Sequence, residues 1–227
     1  ANSSLGVLAV LIELGAGADI VSIGELFRWQ KAGGDPAKVV FSGVGKTEDE
    51  MRAAITAGIG AFNVESAEEL VVLDRVARGM NARVKFALRV NPDVDPETHP
   101  YISTGLKQNK FGVSMDEARE LLRGTAKLPG LEVAGVDFHI GSQLTKTTPF
   151  TDSIARLVKL VEDLASDGIK LEHVDIGGGH GIDYGKGDVV PSPAEYGVAV
   201  RAALAPLTKL GVTLYTEPGR GIVGAAG

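Results

Sequence analysis

The sequence predicts an α/β protein, namely a (β/α)8 barrel of the TIM type whose first strand lies outside the chain. Apolar segments alternate with helical segments along the whole length, and this alternation requires a parallel sheet. Seven strands can be counted, and the chain opens on a helix, which the alternation requires to follow an eighth strand. Eight strands favour a closed barrel. An open, doubly wound sheet of seven or eight strands is the alternative.

The predicted strands are short, continuously apolar runs with many β-branched or aromatic residues. Such runs are typical of strands that are buried on both faces of a parallel sheet. The predicted strands are Asp19–Ser22, Val39–Ser42, Ala61–Val64, Val84–Asn91, Val133–His139, His173–Ile176 and Thr213–Glu217.

Helices are predicted between these strands from apolar periodicity and from start and stop signals. Thr47 and Ser66 each stand three residues before a Glu, the pattern of an N-terminal capping box. Six glycines are expected just past helix ends, where a left-handed residue is favoured: Gly15, Gly33, Gly58, Gly79, Gly168 and Gly211. The predicted helices are Ser4–Leu14, Glu25–Ala32, Thr47–Ala57, Ala67–Arg78, Met115–Lys127, Pro149–Ser166 and Ala194–Leu210.

The composition is that of a globular protein with a small-molecule partner. The 227 residues are 44% apolar and 23% charged, with a net charge of −6. A mildly acidic chain without basic tracts argues against nucleic-acid binding. No cysteine is present, and the histidines show no metal-ligand spacing, so no metal site is expected. No apolar run reaches the roughly 20 residues of a membrane span, and a cytoplasmic location is expected. The two ends suggest cuts inside a larger protein.

Glycine-rich segments follow two neighbouring predicted strands, at the ends where barrel enzymes place their sites. Gly177–Gly179 leave backbone N–H groups open to an anion because no side chain blocks the approach. Glu217 ends the next strand, and Gly219 and Arg220 follow it. Two such turns predict a phosphate held between them. The alternatives are tight turns without a ligand and a surface pair of Glu217 with Arg220.

Other polar residues lie on or after predicted strands. His139, with Ser142 after it, suggests an acid or base, or a flat ring against a ligand; a structural histidine is the alternative. Asp19 and Arg89 lie inside apolar runs, where a charge is unfavourable unless it is paired or functional. The longest irregular segment, Pro92–Gly112, is expected to be functional.

Ordered motifs along the whole chain resemble the fold-type III pyridoxal-phosphate decarboxylases of the alanine racemase/decarboxylase type, and most closely the diaminopimelate decarboxylase family. The motifs are Ala18–Ser22, Val40–Thr47, Phe62–Ser66, Arg89–Val94, His99–Gly105, Asn109–Gly112, His139–Gln143, Gly177–Gly179 and Glu217–Arg220. Two departures are Ile23 in place of a usual Gly and His180 in place of a usual Leu.

The resemblance implies a pyridoxal 5'-phosphate site. Gly177, Gly178 and Gly179, with Gly219 and Arg220, would hold the phosphate. Glu217 would contact the pyridine nitrogen, His139 would stack on the ring, and Arg220 would also meet a substrate carboxylate. Catalytic roles therefore fall on His139 and Glu217. The remaining candidates for cofactor binding are Asp19, Arg89 and Ser142.

The resemblance further implies decarboxylation of meso-diaminopimelate to L-lysine by a homodimeric parent protein. Residues 1–227 would form its pyridoxal-phosphate-binding barrel domain. The Schiff-base lysine is expected immediately before residue 1, and a C-terminal β domain after residue 227. Two alternatives remain open: a related amino acid as substrate, or a non-catalytic barrel fragment or pseudoenzyme that lacks the lysine.

Overall fold

The computed structural model describes residues 2–94, 111–185 and 187–226. Two compact units can be distinguished. The first contains Asn2–Arg89 and Glu120–Ala134, and the second contains the described residues of Val90–Arg119 and Gly135–Gly227. Three predicted features lie partly or wholly outside the described residues: the motif at 99–105, part of the motif at 109–112 and the middle of the long irregular segment.

The strands and helices alternate as predicted. The strands are β1 (Ala18–Ile20), β2 (Val39–Phe41), β3 (Ala61–Val64), β4 (Val84–Asn91), β5 (Val113–Ser114), β6 (Leu131–Asp137), β7 (His173–Asp175) and β8 (Thr213–Tyr215). The α-helices are α1 (Leu5–Glu13), α2 (Ile23–Lys31), α3 (Glu48–Ala57), α4 (Ala67–Gly79), α5 (Met115–Gly124), α6 (Thr148–Ser166), α7 (Pro193–Thr208) and α8 (Gly219–Val223). Short 3-10 helices are formed by Pro36–Lys38, Thr125–Lys127 and Gly224–Ala226.

The first unit contains a parallel sheet in sequential strand order. β1 pairs with β2, β2 with β3 and β3 with β4, and the order continues into β6. Phe41 and Phe62, neighbours across β2 and β3, stack with ring centroids 6.0 Å apart. Trp29 of α2 is 1% exposed and belongs to the same core. The parallel pairing confirms the α/β class.

The second unit contains the carboxyl-terminal end of β6 with β7 and β8, again paired in parallel. Helices α6 and α7 pack on each other. Their apolar faces follow the helical period, so that Ile154, Leu157 and Leu164 of α6 and Leu204 of α7 are buried. Strand β5 and helix α8 were not predicted, because a two-residue strand and a five-residue helix are too short to show a period.

The first and last strands of the order are more exposed than predicted. All three residues of β8 are exposed, as is Asp19 in β1. In the described residues each of these strands pairs with one neighbouring strand only. The expectation of burial on both faces is therefore wrong for β8, and the charge of Asp19 is not buried in an apolar surrounding.

The helix signals are largely confirmed. Thr47 and Glu50 form the full capping box, and the hydrogen bond from the Thr47 backbone lowers the pKa of the Glu50 carboxyl. Ser66 caps α4, but Glu69 turns its carboxylate away from the Ser66 backbone. Gly79 lies inside α4 instead of beyond it. The left-handed residue after that helix is Asn81, with φ 53°.

No helix in the described ranges combines the length and the apolar character needed to cross a bilayer.

Candidate functional site

The loops that follow β6, β7 and β8 meet in the second unit. The Glu217 backbone N–H donates to the Gly177 carbonyl at 2.8 Å, and the Thr216 hydroxyl donates to the same oxygen at 3.2 Å. The Gly178 N–H donates to Nδ1 of His139 at 3.2 Å. The structure therefore brings together three of the predicted positions: the histidine, the glycine turn and the end of the last strand.

The glycines of the turn allow protein backbones to approach one another closely. A Cβ on Gly178 would lie 2.2 Å from the Glu217 carbonyl oxygen, and a Cβ on Gly179 would lie 2.2 Å from that of Gly141. Gly179 also has φ 101°. A side chain at either position would strike these carbonyls before it met any ligand. Glycine is therefore required here because the backbones pack closely. The sequence had suggested a different reason, namely that glycine leaves the backbone N–H groups open to an anion.

His139 is half-buried and oriented by a backbone amide. Because its Nδ1 accepts the hydrogen bond from Gly178, that nitrogen carries no proton, and the neutral ring carries its proton on Nε2. A backbone N–H therefore helps to orient the ring, and such a contact leaves no signal in the sequence.

Arg220 lies in the first turn of α8 and is held by two hydroxyl groups. Its Nη2 donates to the Ser142 hydroxyl at 2.8 Å, and its Nη1 donates to the hydroxyl of Tyr184. The guanidinium also lies over the Tyr184 ring, 5.7 Å from the centroid. Nε is buried and has no hydrogen-bond partner among the described residues. Within the described ranges no ion pair joins Arg220 to Glu217, so the alternative of a surface pair between them is not observed there.

Arg89, in the first unit, is paired with a glutamate. Its Nη1 donates to Oε1 of Glu65 at 2.8 Å, and the same oxygen accepts the Gly43 N–H at 3.1 Å. The Glu65 side chain is 3% exposed. The ion pair considered as an alternative for Arg89 is thus present, and cofactor binding by Arg89 and Asp19 stays a prediction.

A buried lysine beside this pair was missed by the sequence analysis. The Lys46 side chain is 1% exposed, and its ammonium donates to the carbonyls of Gly43 (2.6 Å) and Asn63 (2.8 Å) and to Oε1 of Glu69 (2.7 Å). Burial raises the pKa of the Glu69 carboxyl, and the positive charge of Lys46 opposes that rise. The available signal was a lysine in a glycine-containing loop directly after a buried strand. The capping-box pattern gave Glu69 a different expected partner, the Ser66 backbone, and its carboxylate binds Lys46 instead.

His180, the residue that departs from the family pattern, is buried in a structural contact. Its Nε2 lies 2.8 Å from the Pro191 carbonyl, and its ring centroid lies 4.9 Å from that of Tyr196. Burial raises the pKa of Tyr196 to about 12. His180 therefore joins the glycine turn to the segment before α7.

An apolar groove in the same unit lies apart from the predicted residues. It is lined by α7 and by strands β7 and β8, including Ile176, Val200, Leu204 and Leu214. None of the predicted site residues lines it. The polar cluster at the strand ends is the better candidate for chemistry, because it combines titratable groups with a buried guanidinium nitrogen.

Comparison with known proteins identifies related sequences over the whole chain. The family model described as "Pyridoxal-dependent decarboxylase, pyridoxal binding domain" matches residues 1–224. The diaminopimelate decarboxylase of Pseudomonas aeruginosa is 56% identical over 227 residues, and the match covers 100% of this chain and 54% of that protein. The corresponding Vibrio cholerae protein is 51% identical, with the same coverage. The chain thus spans about half the length of the curated relatives it matches.

Solved structures give the same result. Diaminopimelate decarboxylase from Helicobacter pylori, complexed with L-lysine, matches with a TM-score of 0.92 and 41% identity over 98% of this chain and 55% of that one. The arginine decarboxylase of Paramecium bursaria Chlorella virus matches with a TM-score of 0.81 and 26% identity over 97% of this chain and 56% of that one. The predicted fold of this decarboxylase group is therefore confirmed.

Proposed function

Because this chain belongs to the pyridoxal-dependent decarboxylase family, through its pyridoxal-binding domain, we propose that the complete protein converts meso-diaminopimelate to L-lysine. The observation that carries the proposal is the set of whole-chain matches to diaminopimelate decarboxylases, from 43% to 56% identical. Arginine decarboxylase is the more distant neighbour, at 26% identity. This difference favours diaminopimelate over another basic amino acid as the substrate.

The reaction removes one carboxyl group and replaces it with a proton. meso-Diaminopimelate has one L centre and one D centre, and L-lysine retains the L centre. The bond that breaks is therefore the one between the D carbon and its carboxyl carbon. CO2 leaves without the bonding electron pair, and a proton then binds to the same carbon. No external oxidant or reductant is required.

The residues of the second unit fit pyridoxal phosphate as the cofactor. When bound, this group supplies a conjugated ring that accepts the electron pair released as CO2 leaves. Arg220 presents a buried Nε with no partner among the described residues, next to Ser142 and close to the glycine turn. A cationic donor in such a place suits the phosphate anion. Gly177–Gly179 and Gly219 would supply backbone contacts to the same anion.

Glu217 and His139 are the side chains that we assign to the ring. Glu217 would keep the pyridine nitrogen protonated, since a carboxylate stabilises a neighbouring positive charge more strongly where water is excluded. His139 would lie against the ring face as the neutral tautomer fixed by Gly178. We also assign cofactor contacts to Asp19 and Arg89.

The substrate carboxylate would meet Arg220. Both terminal nitrogens of Arg220 already donate to the hydroxyls of Ser142 and Tyr184. Each terminal nitrogen has a second N–H group, so donors remain for a two-point contact between the guanidinium and a carboxylate. Of the two hydroxyl partners, Tyr184 is the more exposed, with 53% of its surface accessible.

The proposal includes a homodimer and a cytoplasmic location. The homodimer follows from the resemblance, in which the C-terminal domain completes the site of the partner subunit. The cytoplasmic location is consistent with the absence of cysteine from this chain, since disulfides mark oxidising compartments.

Lysine formation by the complete protein tests the proposal. The purified protein is loaded with pyridoxal phosphate, and CO2 release is measured with meso-diaminopimelate, L-lysine, L-ornithine and L-arginine as separate substrates. Lysine formation is measured with meso-diaminopimelate. We expect kcat/KM to be at least about 100-fold higher for meso-diaminopimelate, which corresponds to about 2.7 kcal/mol in transition-state binding. Equal or better use of L-arginine or L-ornithine, or no turnover above that of cofactor-free protein, would contradict the proposal.

A further inference from the structure

Gln143 has an unusual backbone conformation at the centre of the candidate site. Its φ is 58°, in the left-handed region that residues other than glycine seldom adopt. It lies between Ser142, which accepts a hydrogen bond from Arg220, and Leu144, which forms a parallel bridge with His180. A strained residue between two groups of the site suggests that this conformation is maintained by specific contacts.

The contacts of Gln143 extend a short ladder between the loops after β6 and β7. The Leu144 N–H donates to the Gly179 carbonyl at 2.9 Å, and the Gly181 N–H donates to the Leu144 carbonyl at 2.9 Å. Beyond them, the Gln143 side chain donates from Nε2 to the Ile182 carbonyl at 2.5 Å and accepts the Ile182 N–H on Oε1 at 3.3 Å.

The primary amide of Gln143 thus acts in place of a peptide group. It offers one donor and one acceptor to the two backbone groups of Ile182, as a neighbouring strand would. Ile182 follows directly after Gly177–Gly181, the segment that begins with the three glycines of the turn, so this two-point contact fixes the outgoing end of that segment. The bridge at Leu144 fixes its middle.

We propose that Gln143 is a positioning residue, whose side-chain amide holds the Gly177–Gly181 turn in the register needed to bind the cofactor phosphate. This inference rests on the proposed function, because it takes pyridoxal phosphate as the ligand of the turn. Neither Gln143 nor Ile182 touches the reacting atoms in this account. Gln143 acts on the ligand through the turn and through the adjacent Ser142.

Two substitutions separate the amide contact from the backbone conformation. Gln143→Asn keeps a residue that tolerates the left-handed region, but its side chain is one methylene shorter and cannot reach Ile182. Gln143→Glu keeps the length and the acceptor for the Ile182 N–H. Its ionised carboxylate cannot donate to the Ile182 carbonyl, whereas its protonated form can. Gln30→Glu, on the exposed face of α2, is the matched control.

The experiment measures the Kd for pyridoxal phosphate by absorbance titration of the complete protein at pH 5 and pH 8, each relative to wild type at that pH. We expect Gln143→Asn to weaken binding at least about tenfold at both pH values. We expect Gln143→Glu to weaken it by a similar factor at pH 8 and by much less at pH 5, because the Ile182 carbonyl oxygen that faces the introduced carboxylate disfavours its ionised form and raises its pKa. Gln30→Glu should match wild type at both pH values.

The pH dependence makes the test independent of any general loss of folding. If Gln143→Asn fails to fold, the Kd of Gln143→Glu divided by that of wild type, measured at the two pH values, still decides. A Kd ratio equal to one at both pH values, or the same loss of affinity at both, would overturn the proposal. Wild-type protein that does not bind pyridoxal phosphate would instead refute the proposed function, so the two failures are distinguishable.

Discussion

Replacing Lys46 with methionine should destabilise the first unit strongly, and the structure provides the magnitude. Methionine fills a similar volume, so the change mainly removes three hydrogen bonds from a side chain that is 1% exposed. It leaves the Glu69 carboxylate, 12% exposed, without its ammonium partner. Removing one partner of a buried ion pair costs about 3–5 kcal/mol. That is a large fraction of the roughly 5–15 kcal/mol by which domains are stable.

The cost of Lys46→Met should depend on pH, because Glu69 can escape an unpaired charge by taking up a proton. Burial already raises the pKa of that carboxyl while Lys46 is present, and removal of the ammonium raises it further. We therefore expect the full loss of about 3–5 kcal/mol near pH 8 and a smaller loss near pH 5. Urea unfolding of the complete protein, followed by circular dichroism and fluorescence, measures both values.

Lys31→Met is the matched control, because Lys31 is exposed at the end of α2. Its effect should stay within about 0.5–1 kcal/mol. The double variant Lys46→Met/Glu69→Gln should lose less stability than the sum of its two single variants, since the second change removes the stranded carboxylate. A loss below about 1 kcal/mol for Lys46→Met at pH 8, equal to that of the control, would refute the reasoning.

Three further predictions concern the site and its surroundings. Glu217→Gln should leave pyridoxal-phosphate affinity nearly unchanged and lower kcat at least about 100-fold, whereas the control Glu162→Gln should change neither quantity. Near-normal turnover of Glu217→Gln would rule out the pyridinium role. His139→Phe should retain the cofactor and most of the turnover, and a fall of about 10⁴ in kcat with cofactor bound would indicate acid–base catalysis instead. Because the pKa of Glu69 is raised in the folded protein, its carboxyl stabilises the fold at low pH and that contribution is lost as pH rises above the ordinary value of 4.5. The stability of wild type relative to Glu69→Gln should therefore decrease from pH 5 to pH 8. If the urea midpoint of wild type, relative to that of the variant, instead rose over this pH range, the sign of the prediction would be wrong.

The strand interiors were predictable because a buried parallel strand needs a continuous apolar run. β3 and β4 have the predicted bounds, Ala61–Val64 and Val84–Asn91. The ends of the strands were harder to predict, since a short polar side chain can either end a strand or cap the helix that follows. Ser22 was assigned to the end of a strand, but its hydroxyl accepts the Glu25 N–H and caps α2. The local sequence is compatible with both uses, and the backbone direction after Ile20 decides between them.

Burial of a strand depends on neighbours that its own sequence does not show. Leu214 and Tyr215 form an apolar run typical of an interior strand, yet they are 42% and 41% exposed. Conversely, Lys46 stands in a loop with polar neighbours and is almost fully buried. Its three acceptors come from its own loop, from β3 and from α4, and no local pattern predicts their convergence.

The glycines show why the turn could be singled out from the sequence although its contacts could not be predicted. A run such as Gly177–Gly179 indicates that something approaches the backbone closely, and the structure identifies two such groups as the carbonyls of Glu217 and Gly141. The sequence therefore indicated a close approach at this turn without identifying the groups that approach, and phosphate binding there stays a prediction. The contacts that position its side chains span long separations, 39 residues between Gln143 and Ile182 and 78 between Ser142 and Arg220. The close packing of the turn and the orientation of Arg220 both depend on the loop after β6. A change in that loop should therefore alter the affinity of the site for an anion, even where the change removes no group that contacts the anion.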